Sequence, residues 1–260
     1  PVVETNNNEF QPKILQKVEN YLNEAESLEK DEVETKIEPI AMKCSQSLFS
    51  RNYLNTSSLL KHLDFDNNNF YVIGVVGMKD SGKSTILNLI ATGELQKSSL
   101  FNDLKNGNAI EAFVTKNRII LLDTAPVLHN TSCRDCIVSE ADDFRQLQVL
   151  FRLCHELLIV YESHQIMNLL RMVICTNSSL NPYECEPVIT LVENRVRLES
   201  VKNPFTEIAK EVLKQSRISE CINTVKLQDL RFVDDDKASV KEVIEQLRID
   251  INERKELKTY

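Results

Sequence analysis

The sequence predicts an α/β fold, three layers with helices on both faces of a mostly parallel sheet, and three observations carry that prediction. An apolar, β-rich run, Phe70-Tyr71-Val72-Ile73-Gly74-Val75-Val76, leads directly into Gly77-Met78-Lys79-Asp80-Ser81-Gly82-Lys83-Ser84. From there on, short apolar runs alternate with amphipathic stretches, the pattern of strand–helix–strand crossovers. Two later strand ends carry Asp123 and Asn194, where the crevice of an open α/β sheet lies.

Residues 1–35 open on an Asn-rich stretch and continue with Ile14, Leu15, Val18, Leu22, Ala25 and Leu28 at helical spacing. This predicts an N-terminal helical extension outside the alternating pattern, suited to docking on a partner or packing on its own domain. Residues 36–260 are expected to form one domain. Within it, 36–69 read as helices and loops, Phe70–Val76 as the first strand, the segment from Lys83 as a helix, and 94–108 as a polar loop. Ala112–Thr115 and Arg118–Leu122 read as two strands around a Lys116-Asn117 turn. Residues 141–153 place Phe144, Leu147 and Phe151 on one helix face. Leu157–Tyr161 reads as a buried strand, followed by a helix through Val173. Pro187–Val192 is the next strand, and Asn203-Pro204 opens a helix, with proline at its first position. Its expected apolar face is Phe205, Ile208, Ala209 and Val212. Val225–Val233 reads as an edge strand, and Val240, Val243, Ile244, Leu247 and Ile251 align along a last helix.

Composition narrows the classes. A length of 260 residues suits one large domain with an appendage. The net charge of −8 argues against a nucleic-acid-coating surface, which needs clustered Lys and Arg, so no direct nucleic-acid contact is expected. No apolar run approaches the roughly 20 residues of a membrane span. The start, Pro1-Val2-Val3-Glu4, has neither a basic nor an apolar leader region, so no secretion signal is read in it; lacking Met, it reads as a fragment, whose upstream targeting would not show. The 7 cysteines, an odd number in apolar settings such as Cys154 and Cys175, suit free thiols in a reducing compartment, cytosolic or nuclear, and a cytoplasmic location is expected.

Gly77–Ser84 fits G-x-x-x-x-G-K-[ST] at every fixed position. Glycine at each end lets the backbone curl, so that the amides of Lys79, Asp80, Ser81, Gly82, Lys83, Ser84 and Thr85 line a phosphate cradle. Lys83 reaches the β- and γ-phosphates, the Ser84 hydroxyl ligates Mg2+, and the positive end of the following helix adds attraction. The domain is therefore expected to be a P-loop, G-domain-like one that binds a nucleotide with Mg2+. Asp123, ending the strand Ile119–Leu122, is placed to hold a Mg2+-bound water. G proteins continue this motif as Asp-x-x-Gly. Here Asp123-Thr124-Ala125-Pro126 puts proline, which has no N–H, where glycine donates to the γ-phosphate.

Asn194-Arg195-Val196-Arg197 stands where G proteins read guanine with Asn-Lys-x-Asp. Asn194 fits and Arg195 can stack as the lysine does, but Arg197 offers no acceptor to the guanine N1 and N2 donors. A guanine nucleotide (GDP or GTP) is favoured by the fold and Asn194, with an adenine nucleotide (ADP or ATP) as the alternative. The 94–108 loop contains Ser98 and Ser99 but no threonine for Mg2+; Thr92 and Thr115 only flank it. No glutamine stands ready after Asp123 to orient a water. Hydrolysis is expected to be absent or very slow, and no catalytic residue is assigned.

Other constellations are weaker. Cys133-Arg134-Asp135-Cys136 has C-x-x-C spacing, but His129 is a poor source of the remaining zinc ligands. His62 and His155 read as structural, and Asp234-Asp235-Asp236 as an acidic helix start.

Taken together, Val72–Ser84, Asp123-Thr124-x-Pro126 and Asn194-Arg195-x-Arg197 resemble the SMG-nine family of the nonsense-mediated mRNA decay machinery. Phe144–Tyr161, with Gln146-Leu147-Gln148 leading into Leu153-Cys154-His155, resembles it too, so the likeness runs from about 40 to 250. The resemblance implies a G-fold subunit that carries a nucleotide without being an efficient GTPase. It also implies a heterodimer with a second G-like subunit, SMG-eight, that binds and regulates the PI3-kinase-like SMG-one kinase, which phosphorylates the helicase Upf-one. The alternative class is a dynamin-like GTPase activated by dimerisation; a small-molecule kinase would need acceptor and lid residues that the sequence does not show.

Overall fold

The computed structural model describes residues 42–50, 53–57, 59–63, 69–93, 100–101, 109–128, 136–162, 165–180, 187–196, 204–216, 222–228 and 237–258. All of them fall in the unit Pro39–Tyr260, and the expected N-terminal extension 1–35 lies outside them. The strands are β1 (Gln46–Ser50), β2 (Tyr53–Leu54), β3 (Tyr71–Gly77), β4 (Ala109–Val114), β5 (Ile119–Thr124), β6 (Glu156–Tyr161), β7 (Val188–Val196) and β8 (Ile222–Gln228). The helices are α1 (Lys83–Thr92), α2 (Cys136–Leu153), α3 (Ile166–Ser179), α4 (Pro204–Gln215) and α5 (Lys237–Lys258).

They form one sheet in the order β2-β1-β4-β5-β3-β6-β7-β8. β5, β3, β6, β7 and β8 run parallel, whereas β4 runs antiparallel to both β5 and β1. A parallel strand covered by helices on both faces must be apolar throughout. Accordingly β6 is buried at every residue, and Ile73, Val75, Leu121, Leu158 and Leu191 lie at the centre of the core. Right-handed crossovers put α1 on one face as the chain moves from β3 towards β4, and α2, α3 and α4 on the other as it moves from β5 to β8. α5 packs beside α1. The direction of winding reverses at β3, so the crevice at its C-terminal end is a topological switch point.

Three expectations are corrected. Among its described residues the stretch 36–69, read as helices and loops, contains β1, β2 and a 3-10 turn, Leu60–His62. β1, Gln46-Ser47-Leu48-Phe49-Ser50, is too polar to announce itself; its extended form comes from pairing with β4, Gln46 opposite Ala112. The face of α4 is rotated: Phe205 and Ile208 are 41% and 47% exposed, while Thr206, Ala209 and Leu213 turn inward. A polar demand draws Thr206 inside, because its hydroxyl bonds the Tyr161 hydroxyl at 3.0 Å and donates to Glu193 Oε2 at 3.2 Å. Among the described residues the last strand is Ile222–Gln228, starting three residues before the expected 225–233, whose part beyond Gln228 lies outside them; it does lie at the sheet edge.

At the opposite end of the sheet from the crevice, Glu156 is fully buried. Arg254 on α5 holds it with both Nε (3.1 Å) and Nη2 (3.0 Å), Thr190 Oγ1 donates to it at 2.6 Å, and Tyr71 OH at 3.2 Å. Burial, with the Glu156 charge added, pushes the Tyr71 phenol well above its usual range. Tyr71 stacks on His155 at 5.2 Å, and His155 Nδ1 accepts from the Val72 amide at 2.9 Å, so this histidine is structural, as expected. A bidentate pair of this kind is strong, and removing one partner strands the other charge without water. Arg254→Ala is expected to cost about 3–5 kcal/mol of unfolding free energy in urea titration; a loss under about 1 kcal/mol would show that the pair does not support the fold.

Candidate functional site

β3 ends at Gly77, α1 begins at Lys83, and the chain between them curls. Asp80 (φ 59°) and Gly82 (φ 92°) both take the left-handed backbone that makes this turn. The curl also lies too close to its neighbours for a side chain at either glycine. A Cβ at Gly77 would sit 2.4 Å from the Val160 carbonyl oxygen, and one at Gly82 would sit 2.4 Å from Asn194 Nδ2. Asn194, near the end of β7, donates from Nδ2 to the Ser81 carbonyl at 2.8 Å and so ties the curl to the sheet.

Inside the curl, the buried Lys83 ammonium donates to the Met78 carbonyl at 3.0 Å. Burial lowers its pKa, opposed by the charges of Asp123 and Asp80. Ser81 is buried with its hydroxyl oxygen unpartnered among the described residues. Lys79, Asp80 and Thr85 are exposed, and Gly82 and Ser84 half-buried. The first turn of α1 leaves amides without intrahelical acceptors, at the positive end of the helix dipole.

On β5, Asp123 is buried and accepts from Ser84 Oγ at 2.5 Å and from the Thr124 amide at 3.0 Å. Burial pushes its carboxyl up to about 6, against the Ser84 bond, the Lys83 charge and the Thr124 amide. A hydroxyl and a carboxylate in contact are hard oxygen donors of the kind Mg2+ takes beside phosphates. The orphaned Ser81 hydroxyl, the buried lysine and the glycine-restricted curl fit a polyphosphate. Ser84 and Asp123 would hold the cation, which supplies charge neutralisation of phosphate oxygens when bound.

The segment after Asp123 is fastened at every step. The Ala125 amide donates to the Ala109 carbonyl (2.9 Å), Gln146 Nε2 to the Ala125 carbonyl (3.0 Å), the Val127 amide to the Gly77 carbonyl (3.2 Å), and the Leu128 amide to Asp143 Oδ2 (2.8 Å). Leu128 adopts φ 57°, an unfavourable conformation for a leucine, and the Asp143 carboxylate holds it there. Within the expected polar loop, Leu100 donates to Asn88 Oδ1 of α1 at 2.9 Å and accepts from the Ser45 amide, while Phe101 packs edge-on against Phe113. The rest of that loop, 94–99 and 102–108, lies outside the described residues, as do Cys133, Arg197 and Asp234–Asp236.

The structure thus places Lys79–Thr85, Asp123, Asn194 and Arg195 at the C-terminal ends of β3, β5 and β7. The amide of Arg195 (φ 57°) donates to Asn194 Oδ1 at 2.9 Å, and the Arg195 guanidinium is ion-paired with Glu162, which follows β6. Glu162 and Asp143 were not singled out by sequence, and Gln146 only as part of the family resemblance. For Gln146 a signal existed: a polar residue beside Leu147 on the apolar side of a helix. Among the described residues, no three His, Cys, Asp or Glu cluster as metal ligands, and no helix is long and apolar enough to cross a membrane.

Fold and site together define an α/β domain with a mostly parallel sheet and a P-loop-type curl between β3 and α1. No family model matches the chain. Among curated proteins it is similar to nonsense-mediated mRNA decay factor SMG9 of Salmo salar, 26% identical over 164 residues, which covers 53% of this chain and 32% of that protein. SMG9 of Xenopus laevis is 26% identical over 162 residues, covering 52% of this chain and again 32% of the relative. The chain therefore matches about a third of the length of these relatives. A solved structure of an SsGBP mutation variant aligns with a TM-score of 0.44 at 18% identity, over 76% of this chain and 61% of that one.

The raised pKa of Asp123 has a definite sign. A folded value of about 6 against an ordinary 3.8 means that the native state holds the proton more tightly than the unfolded chain. The group's penalty is absent below the lower value, grows between the two and is complete above about 6, so its contribution falls as pH rises. In metal-free buffer, wild-type protein is expected to lose stability relative to Asp123→Asn by on the order of 2 kcal/mol between about pH 4 and about pH 7.5. Urea unfolding across that range measures it, and a pH-independent difference would contradict the assignment.

Proposed function

We propose that this domain holds a purine nucleotide with Mg2+ in the curl of residues 79–85, as a fixed ligand of a protein-binding regulatory subunit rather than as a substrate for rapid hydrolysis. The observation that carries this reading is the complete curl beside a fastened 124–128 segment. Gly77, Ser81, Gly82, Lys83 and Ser84 keep the geometry a polyphosphate needs. The segment that would sense a γ-phosphate has proline at 126 and four hydrogen bonds that fasten it in place. Asn194 at the base end favours a guanine nucleotide, with an adenine nucleotide as the alternative.

The likeness to SMG9 extends the proposal to a place in nonsense-mediated mRNA decay. The subunit pairs with a second G-like protein, SMG-eight, and the pair binds and regulates the SMG-one kinase in the cytoplasm. It does so through protein contacts, without direct contact with nucleic acid or membrane and without enzymatic turnover of its own.

Ligand-dependent melting tests the first part. A nucleotide bound only by the native state at about a hundredfold above its Kd stabilises by about 2.7 kcal/mol. Mg-GDP or Mg-ADP is expected to raise the Tm of the wild-type protein and leave that of Lys83→Ala unchanged. Identical melting with and without both nucleotides would refute the proposal, and steady GTP turnover abolished by Lys83→Ala would replace it with a working GTPase.

A further inference from the structure

Beyond the phosphate curl, one more charged group is built into the same crevice. The end of β6 lies beside β7, Tyr161 in register with Glu193, so Glu162, the first residue after β6, stands next to the irregular stretch of β7 that carries Asn194 and Arg195. Arg195 Nη1 donates to Glu162 Oε1, with the two side chains 30% and 31% exposed. Neither residue is free to drift. The Glu162 amide donates to Gln165 Oε1 at 3.2 Å, and its carbonyl accepts from the Gln165 amide at 2.9 Å. Arg195 is held in left-handed backbone by the bond from its amide to Asn194 Oδ1, and Asn194 Nδ2 reaches the Ser81 carbonyl in the curl. A continuous series of contacts, Gln165–Glu162–Arg195–Asn194–Ser81, therefore joins the start of α3 to the phosphate loop.

We propose that Glu162 is a positioning residue for the base end of the site: it holds the Arg195 guanidinium by one edge and leaves its flat face as a stacking surface for a purine ring. This rests on the reading that the curl takes a nucleotide. A half-exposed ion pair contributes little to folding, so its use here is geometric. A guanidinium stacks on an aromatic face as well as pairing at its edge, and a carboxylate on the edge does both jobs at once by fixing the plane. Stacking addresses a π-face common to adenine and guanine, so Glu162 acts equally on both. Without it, the arginine is one more mobile surface side chain, and the stacked geometry is an entropic cost on binding.

The test uses the whole chain with fluorescent ADP and GDP in Mg2+ buffer, and inorganic tripolyphosphate as a competitor that has phosphates but no base. Glu162→Ala and the shape-preserving Glu162→Gln are expected to weaken both nucleotides alike, by about tenfold. Tripolyphosphate affinity is expected to stay at the wild-type value, and Arg195→Ala added to Glu162→Ala to cause little further loss, because the two act as one unit. Unchanged nucleotide affinity in both Glu162 variants, where Lys83→Ala still abolishes binding, would overturn this inference alone. An equal loss for tripolyphosphate would also overturn it, since it would show a general effect on the loop. A wild-type protein that binds neither nucleotide would instead remove the nucleotide reading on which it rests.

Discussion

The site depends on two approaches of backbone to its surroundings that no side chain tolerates. Gly77 lies against the Val160 carbonyl of β6, and Gly82 against the Asn194 amide of β7. The loop is therefore shaped by the sheet as much as by its own residues: strands β3, β6 and β7 must be in register before the curl has walls. Asn194 then fastens the Ser81 carbonyl, and the buried Lys83 ammonium closes the loop from within by bonding Met78. Burying an ammonium is costly, which its lowered pKa records, and the geometry keeps it beside Asp123 and Asp80 rather than in water.

A second constraint sets the character of the site. The chain after Asp123 is not a free loop but a strap, bonded to β4, β3 and α2 in succession. Leu128 adopts a backbone conformation that leucine avoids, and Asp143, itself pushed up to about 6 by burial, supplies the compensating acceptor. Strain held in this way marks a position that the surrounding structure over-determines. It suits a frame that keeps one shape.

Much of this was legible in the sequence, for physical reasons. β3, β5, β6 and β7 lie between two helical layers, so they must be continuously apolar, and their runs stand out. The phosphate curl was legible because its spacing of glycines, lysine and serine is dictated by local backbone geometry. β1 was not, since a strand of two serines, a glutamine and two apolar residues is made extended by a partner more than sixty residues away. The face of α4 was misread because Thr206 is drawn inward by Tyr161 and Glu193, a polar attraction that apolar periodicity does not encode. Glu162 and Asp143 escaped for the same reason: each acts on a residue distant in sequence or on a backbone amide, and neither belongs to a local pattern.

The clamp on Glu156 has a bearing on how the molecule is made. Its arginine partner lies 98 residues further along the chain. During synthesis, β6 leaves the ribosome well before α5 does, and a nascent chain that stops short of Arg254 must keep that carboxylate wet. The lower rim of the sheet cannot be sealed until the last helix docks. Proteolytic clipping of α5 ahead of Arg254 therefore opens that rim of the sheet.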